Sequence, residues 1–185
     1  MKLFYRQRDS LIDGLRRADR TAQRRFYDEN SARYLSVCRA YVADTYHAED
    51  CLIKAFCKVF NHIKSYSGSG SFDGWVRRIV VNECLNFLRS QRTILYFDEN
   101  LHGREIKDDN DIETGHDFDA QKLLDQLPEA YRLVFNLYVL EDYSHAEIAE
   151  MLNISLSASK TQLFRAKQRL KEIYLNQKTE KNESL

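Results

Sequence analysis

Residues 143–155 read YSHAEIAEMLNIS, and this stretch decides the fold. Ser144 is followed three residues later by Glu147, a spacing that predicts a capping box at the start of a short helix. Asn153 then lies in a turn, where asparagine adopts the left-handed backbone conformation at lower cost than most residues. Ala149 is small enough to let a second helix cross closely. The stretch therefore predicts a short helix, a tight turn and a following helix.

The helix after this turn has two chemically different faces. At 100° per residue, its buried stripe is predicted to hold Ser159, Leu163, Ala166, Leu170 and Ile173. The opposite face carries Ser157, Lys160, Thr161, Phe164, Arg165 and Gln168. A phenylalanine far from the core needs an apolar cover, which a thymine methyl group in the major groove can supply, while its polar neighbours reach base edges or phosphates. The alternative is a solvated amphipathic helix with one stray aromatic side chain.

The rest of the chain predicts an all-α protein with two small helical domains joined by an acidic flexible linker. Apolar residues recur at three- and four-residue spacing, and only one proline and six glycines occur. We expect the first domain at residues 10–92, interrupted by the glycine- and serine-rich residues 65–71. Residues 93–118 have low hydrophobicity and no period, which is typical of a linker. The helix-turn-helix domain follows at residues 119–175, and residues 176–185 form a polar, frayed tail.

The formal net charge is zero, from 28 basic and 28 acidic residues, but the charges are unevenly distributed. Residues 98–119 contain nine acids and two bases, whereas residues 157–174 contain five bases and one acid. The neutral sum thus combines an acidic middle with a basic C-terminal helix. A polyanionic partner for that helix is compatible with this distribution.

Several classes of protein are disfavoured by what the sequence lacks. It has no secretory leader and no apolar run near 18 residues, so we expect a cytoplasmic protein with no membrane insertion. Neither the cysteines nor the histidines are spaced as metal ligands, and no phosphate-binding GxxxxGK[ST] loop occurs. We expect no metal, no cofactor and no enzymatic activity. The cysteines are interpreted as reduced and mostly buried; they are Cys38, Cys51, Cys57 and Cys84. The histidines are interpreted as surface residues; they are His47, His62, His102, His116 and His145.

The helix after the glycine- and serine-rich loop presents a second polar face. Its apolar stripe is predicted to hold Val76, Val80, Cys84 and Phe87. The other side carries Trp75, Arg78, Asn82, Asn86 and Arg89. With Tyr66 and Phe72 flanking the loop, this face would suit unpaired nucleotides, because bases stack on aromatic rings and amides read base edges. The alternative is a surface helix whose tryptophan is partly buried.

Two sets of motifs resemble the bacterial RNA polymerase sigma factors of the extracytoplasmic-function (ECF) group. The first set comprises Ala48-Glu49-Asp50 with Phe56 downstream, and GSFDGW at residues 70–75 leading to RIVVN at residues 78–82. The second comprises Leu127-Pro128-Glu129, residues 143–150 and Phe164-Arg165-Ala166. Both sets occur in the order of the family, and the resemblance extends over residues 22–174.

The resemblance implies a subunit that directs RNA polymerase to promoters. It implies that the first domain binds the coiled coil of the largest polymerase subunit and melts the −10 element, while the second reads the −35 element. The matching positions on the polymerase-binding helix are Glu49, Asp50, Ile53, Lys54 and Phe56. The positions that match the −10 contact are Tyr66, Ser71 and Phe72 in a base-capturing loop, with Arg78, Asn82 and Asn86 on the helix beside it. Trp75 and Arg89 join this set because they lie on the same face of that helix. Those facing the −35 element are Ser157, Lys160, Thr161, Phe164 and Arg165, with Gln162 and Lys167 near phosphates.

The implied partners are core RNA polymerase, promoter DNA in double- and single-stranded form, and an anti-sigma factor that the sequence does not identify. The linker of this family threads the channel that nascent RNA later takes, which an acidic segment would suit. The chain also departs from the family pattern. Ile53-Lys54 replaces a glutamine followed by an acidic residue, Ser157-Ala158-Ser159 replaces Gly-Thr-Val, and Asn153 replaces a glycine.

Two other functions stay open at the level of sequence. An ordinary helix-turn-helix regulator with an N-terminal dimerisation or sensing domain would bind a palindromic site tightly without polymerase. A helical hydrolase or metal enzyme would need a cluster of carboxylates or histidines at ligand spacing, which the sequence does not offer.

Overall fold

The computed structural model describes residues 10–91 and 120–183, with side chains described as far as Asn176. The chain divides into two compact units, Met1–Thr93 and Ile94–Leu185. All regular structure in the described ranges is helical, which confirms the all-α prediction. The predicted acidic linker, residues 93–118, lies outside the described residues. Within these ranges, no helix combines the length and the apolar character that crossing a membrane requires.

The first unit is built from helices α1 to α4. Their bounds are 10–16 for α1, Arg20–Tyr41 for α2, Thr45–His62 for α3 and Phe72–Ser90 for α4. A single 3-10 turn, Ile63–Ser65, follows α3. Side-chain oxygens cap the longer helices, because Asp19, Asp44 and Ser71 each accept a hydrogen bond from a backbone N–H in the first turn. The break at the glycine- and serine-rich loop agrees with the predicted interruption.

The core of the first unit lies between α2, α3 and α4. The ring of Phe26 is 5.5 Å from that of Phe56 and 5.6 Å from that of Phe72, so one aromatic from each helix meets at the centre. The cysteines are mostly buried, as predicted: Cys38, Cys51 and Cys84 are buried, and Cys57 is exposed. Hydrogen bonding to Cys38 and Cys51, together with burial, raises the pKa of the Cys84 thiol.

The turn between α1 and α2 holds its backbone in an unusual conformation. Ala18 has φ +55°, in the left-handed region, and its N–H donates to the carbonyl of Leu15 at 2.9 Å. The next N–H, from Asp19, donates to the carbonyl of Gly14 at 3.1 Å, which closes the end of α1. A Cβ at Gly14 would lie 2.7 Å from the Cβ of Ala22, so this glycine permits the close approach of the two helices.

Replacing Ala18 with glycine is expected to stabilise the first unit by about 0.5–1 kcal/mol. Removing its Cβ relieves about 1–2 kcal/mol of left-handed strain, and the greater freedom of glycine in the unfolded chain offsets about half of this gain. Urea unfolding followed by the fluorescence of Trp75, the one tryptophan of the chain, measures the change. Ala32→Gly is the control, since this exposed alanine lies in the middle of α2 and the change should destabilise by about 1 kcal/mol. A lower urea midpoint for Ala18→Gly contradicts the prediction.

The second unit is built from helices α5 to α8. Their bounds are Ala120–Asp125 for α5, Glu129–Phe135 for α6, His145–Leu152 for α7 and Leu156–Glu183 for α8. A π-helical turn, Asn136–Leu140, continues α6. Helices α5, α6 and α7 all pack against α8. The fully buried side chains at the centre are Leu133, Val134, Leu137 and Ile148.

The end of α8 differs from the sequence prediction. The backbone stays helical to Glu183, so residues 176–183 extend the helix rather than forming a frayed tail. The reason is local, because these residues are mainly lysine, glutamate, glutamine and asparagine, with no glycine or proline to end a helix.

Candidate nucleic-acid interfaces

The turn between α7 and α8 has the predicted helix-turn-helix geometry. The Glu147 carboxylate accepts a hydrogen bond from the Ser144 N–H at 2.8 Å, and the Ser144 hydroxyl accepts one from the Glu147 N–H at 3.3 Å. Asn153 is left-handed, with φ 53° and ψ 51°. The N–H of Ile154 donates to the carbonyl of Ala149 at 2.9 Å, so the turn is closed by backbone hydrogen bonds.

The outer face of α8 keeps most of the predicted DNA-facing side chains accessible. The stripe opposite is buried at Ser159, Leu163, Ala166 and Ile173, as predicted. Ser157 and Lys160 are exposed, and half-buried positions follow at Thr161, Phe164, Arg165 and Lys167. Among the described residues, the side chains of Ser157, Thr161 and Arg165 have no hydrogen-bond partner, so their polar groups are free to meet a ligand.

Two side chains of α8 are less accessible than predicted. Gln162 is only 5% exposed, so the prediction that it lies near phosphates is wrong for this conformation. Its Oε1 has no hydrogen-bond partner in the described part of the chain. Because α5, α6 and α7 all cover α8, the buried arc is wider than one stripe, and Gln162 falls inside it. Phe164 is half-buried, so protein atoms already cover part of the ring that was predicted to need DNA.

His145 has partners, contrary to its prediction as a scattered surface residue. Its Nδ1 lies 2.9 Å from the hydroxyl of Ser159, and its ring stacks on Tyr138 at a centroid distance of 4.6 Å. This contact explains a serine on the buried stripe of α8, because its hydroxyl joins α7 to α8. Burial, followed by the positive charges of Lys160 and Lys167, lowers the pKa of His145 from its ordinary 6.5.

We expect the second unit to lose stability as the pH falls below about 6.5. The folded chain binds the His145 proton less readily than the unfolded chain, so this residue stabilises the fold above pH 6.5, and that contribution is lost under acid conditions. Proton NMR titration of the His145 ring in the native chain and in urea gives both pKa values. The His145→Gln variant provides the assignment and should show a shallower dependence of unfolding free energy on pH. A native pKa equal to or above the urea value contradicts the prediction.

The polar face of α4 forms one side of a groove in the first unit. The groove encloses about 480 Å³ and is lined from α4 by Trp75, Ile79, Asn82, Glu83, Asn86 and Arg89. Helix α3 and the following 3-10 turn contribute Lys58, His62 and Ser65. Asn82, Asn86 and Arg89 are exposed, and Trp75 is half-buried. The predicted polar residues therefore come together, except Arg78, which is exposed but outside the groove lining.

The aromatic residues that flank the loop do not face the groove as the sequence suggested. Tyr66 and Phe72 are buried, with ring centroids 5.2 Å apart, and the Tyr66 hydroxyl donates to the carbonyl of Gly70 at 2.9 Å. Phe72 stacks on Trp75 at 5.9 Å. The two rings therefore hold the loop and support Trp75, whereas Ser71, at the N-cap of α4, remains exposed. Only Trp75 in this cluster offers ring surface to a base.

Helix α3 presents the residues that were assigned to polymerase binding, with one exception. Glu49, Asp50, Ile53 and Lys54 are exposed, and the Lys54 ammonium lies 3.1 Å from the Asp50 carboxylate. Phe56 is 2% exposed and packs on the rings of Phe26, Tyr27, Tyr34 and Phe60, so it supports the helix from inside.

The sequence prediction missed several residues at both surfaces of the first unit. Tyr46 is 82% exposed and lies four residues before Asp50 and seven before Ile53, a helical spacing that could have placed it on the same face. Lys58, His62 and Glu83 in the groove gave no such signal, because they are brought together only by the packing of α3 on α4.

Comparisons with known proteins match a different family model to each of the two units. The family model described as Sigma-70 region 2 matches residues 26–94, and the model described as Sigma-70, region 4, matches residues 118–170. The ECF RNA polymerase sigma factor SigM of Bacillus subtilis is 29% identical, over 71% of this chain and 82% of its own length. The ECF RNA polymerase sigma factor SigW of the same organism is 24% identical, over 87% of this chain and 93% of its own.

A similar solved structure is that of the sigma factor RpoE of Bartonella quintana in complex with the anti-sigma factor NepR. It covers 80% of this chain and 96% of its own, at 19% identity and a TM-score of 0.48. The two family models occur in the same order as the two units, and the alignments cover 82% of SigM and 93% of SigW. The chain belongs to the ECF group of the bacterial RNA polymerase sigma factors.

Proposed function

We propose that this chain binds core RNA polymerase and directs initiation by reading a −35 element with α8 and opening a −10 element with α4. The observation that carries the proposal is the accessible polar face of α8, the helix that follows the hydrogen-bonded turn of the helix-turn-helix. The same chain has a groove that is lined by the amides of Asn82 and Asn86. One face suits the major groove of a duplex, and the other suits unpaired bases. No catalytic step of its own is required.

In the upstream contact, the N-terminal half of α8 enters the major groove. Arg165 and Lys160 supply long cationic side chains that reach guanine edges or phosphates, and Thr161 supplies a hydroxyl and a methyl group. The half-buried ring of Phe164 keeps enough surface to contact a thymine methyl. Ser157 and Lys167 complete this surface at its edges, whereas Gln162 acts from inside by packing.

In the downstream contact, the groove of the first unit holds the unpaired strand of the −10 element. Trp75 offers a ring for stacking, and Asn82 offers an amide that has no partner within the described residues. Arg78 and Arg89 lie on the same helix, where they can meet the sugar-phosphate backbone. Opening is driven by the binding of bases and needs no nucleotide hydrolysis.

Polymerase holds the two contacts at the distance that separates the promoter elements. The exposed face of α3, at Tyr46, Glu49, Asp50, Ile53 and Lys54, binds the coiled coil of the largest subunit. Residues 93–118 reach up to roughly 90 Å when extended, more than two turns of duplex at about 34 Å each. An anti-sigma factor is a further partner in this proposal, and the site of action is the cytoplasm.

Run-off transcription with core polymerase on a genomic library tests the proposal. We expect transcripts that start a fixed distance downstream of a shared pair of sequence elements, and none when the chain is omitted. An ordinary regulator would behave differently, because the chain alone would bind a two-fold-symmetric operator at nanomolar concentration and ignore core polymerase. That outcome would overturn the proposal.

A further inference from the structure

An ion pair lines the groove between α3 and α4, and the part of the lining around it is called the floor below. The Lys58 ammonium is 2.5 Å from Oε1 of Glu83, which joins the two helices. The Glu83 side chain is only 9% exposed, whereas the Lys58 side chain is 48% exposed. A carboxylate that is so shielded from water needs a charged or hydrogen-bonding partner, and Lys58 supplies it. The carboxylate end of the pair is thus buried in the lining of the groove, while the lysine end stays half exposed.

The same carboxylate orients an amide of the groove. The Asn86 Nδ2 donates to Oε1 of Glu83 at 3.3 Å, and its Oδ1 accepts from an Arg89 guanidinium N–H at 3.4 Å. A rotated amide would place its oxygen against the carboxylate and its N–H groups against the arginine, which is unfavourable at both ends. Glu83 therefore fixes which edge of Asn86 is presented to a molecule in the groove.

The ion pair also determines how charge is distributed across the groove. Lys58 alone would attract a phosphate, but its charge is compensated by Glu83 at contact distance. The other permanently charged cation of the lining is Arg89, near the end of α4. A phosphate at the floor would meet the Glu83 carboxylate, whereas a neutral base would meet hydrogen-bonding groups without a net charge.

We propose that Glu83 is a positioning residue that makes the groove accept bases at its floor and leaves the phosphates outside. It does so by neutralising Lys58 and by orienting Asn86. This inference rests on the proposed function, in which the groove holds the unpaired strand of the −10 element. Glu83 itself reads no base, but it sets the direction in which the unpaired strand lies in the groove.

The test measures how binding of single-stranded DNA to the reconstituted holoenzyme depends on salt. The probe is a fluorescent dodecamer carrying the −10 sequence of a promoter mapped by run-off transcription, beside a scrambled dodecamer of equal composition. Each phosphate that is neutralised by a cation contributes about −0.7 to the slope of log K against log salt for a single strand. The slope therefore counts the phosphates that the protein contacts.

We expect Glu83→Gln to steepen this slope by about 0.7, because the released Lys58 then captures a phosphate. Preference for the −10 probe over the scrambled one should fall about fivefold, since glutamine carries both a donor and an acceptor and no longer fixes the orientation of the Asn86 amide. Lys58→Gln should leave the slope unchanged, because the charge that it removes was already compensated. The double variant Lys58→Gln/Glu83→Gln should return the slope to its original value, which a mere loss of folding would not do.

Two outcomes overturn the inference. One is a slope that Glu83→Gln leaves unchanged, and the other is a slope that Lys58→Gln flattens by about 0.7, as a direct phosphate contact requires. Lys64→Gln, an exposed lysine outside the groove lining, is the matched control and should change neither the slope nor the preference. If the unchanged holoenzyme shows no preference for the −10 probe, the proposed function of the groove fails instead.

Discussion

Replacing Arg165 with alanine is expected to weaken holoenzyme binding to the upstream promoter element by about 1–3 kcal/mol, roughly 5- to 150-fold. Arg165 lies on the accessible face of α8 and has no side-chain partner within the described residues, so its guanidinium is available to a base edge. A bidentate contact of arginine with a guanine is lost completely on truncation, because alanine leaves the base edge unpaired.

The sequence dependence of this loss separates base reading from phosphate contact. Binding is measured on the mapped promoter and on versions with single base-pair changes in the upstream element. If Arg165 reads a base, the variant loses discrimination at one position, whereas a phosphate contact weakens all sequences equally. Arg169→Ala is the matched control, because this arginine lies one turn further along α8 and already contacts Glu172 at 2.9 Å. Equal losses for Arg165→Ala and Arg169→Ala would contradict the assignment.

The features that were predicted correctly from sequence are those that depend on neighbours along the chain. The Ser144 capping box and the left-handed Asn153 lie within ten residues of each other, and local backbone chemistry is sufficient to specify them. The helical periodicity of α4 likewise placed Asn82 and Asn86 on one face, because a face needs only the 100° step.

The errors arose where packing between helices decides the outcome. Phe56 was assigned to polymerase binding and Gln162 to a position near phosphates. The structure buries both, because each lies on a helix that packs against more than one neighbour. Tyr66 and Phe72 were read as stacking platforms, yet the other rings of the cluster cover them. Aromatic composition predicts an aromatic cluster but not which member of it remains open.

Contacts between residues that are far apart in the sequence could not be predicted from it either. His145 and Ser159 are 14 residues apart, and Lys58 and Glu83 are 25 apart. Because the partners of each pair lie on different helices, no regular spacing in the sequence marks the two residues as being in contact. The polar floor of the groove, on which the role of Glu83 depends, is therefore a property of the tertiary structure.

Replacing Asn82 with alanine is expected to impair promoter opening by about 1–3 kcal/mol while leaving upstream recognition intact. Asn82 is exposed in the groove and has no side-chain partner within the described residues, so its amide is free to bond the edge of an unpaired base. Its loss removes that hydrogen bond and leaves the base edge without a protein partner. The α8 face is unchanged, so binding of the closed duplex should not fall.

Permanganate reactivity of thymines near the start site measures opening, and footprinting of the upstream element measures recognition on the same complexes. We expect Asn82→Ala to lower permanganate reactivity roughly 5- to 150-fold and to leave the footprint on the upstream element unchanged. Asn61→Ala is the matched control, because Asn61 is an exposed asparagine on α3 outside the groove lining. Normal permanganate reactivity in Asn82→Ala contradicts a role in opening. Loss of both signals would instead indicate a defect in folding or in polymerase binding, which thermal unfolding of the free variant resolves.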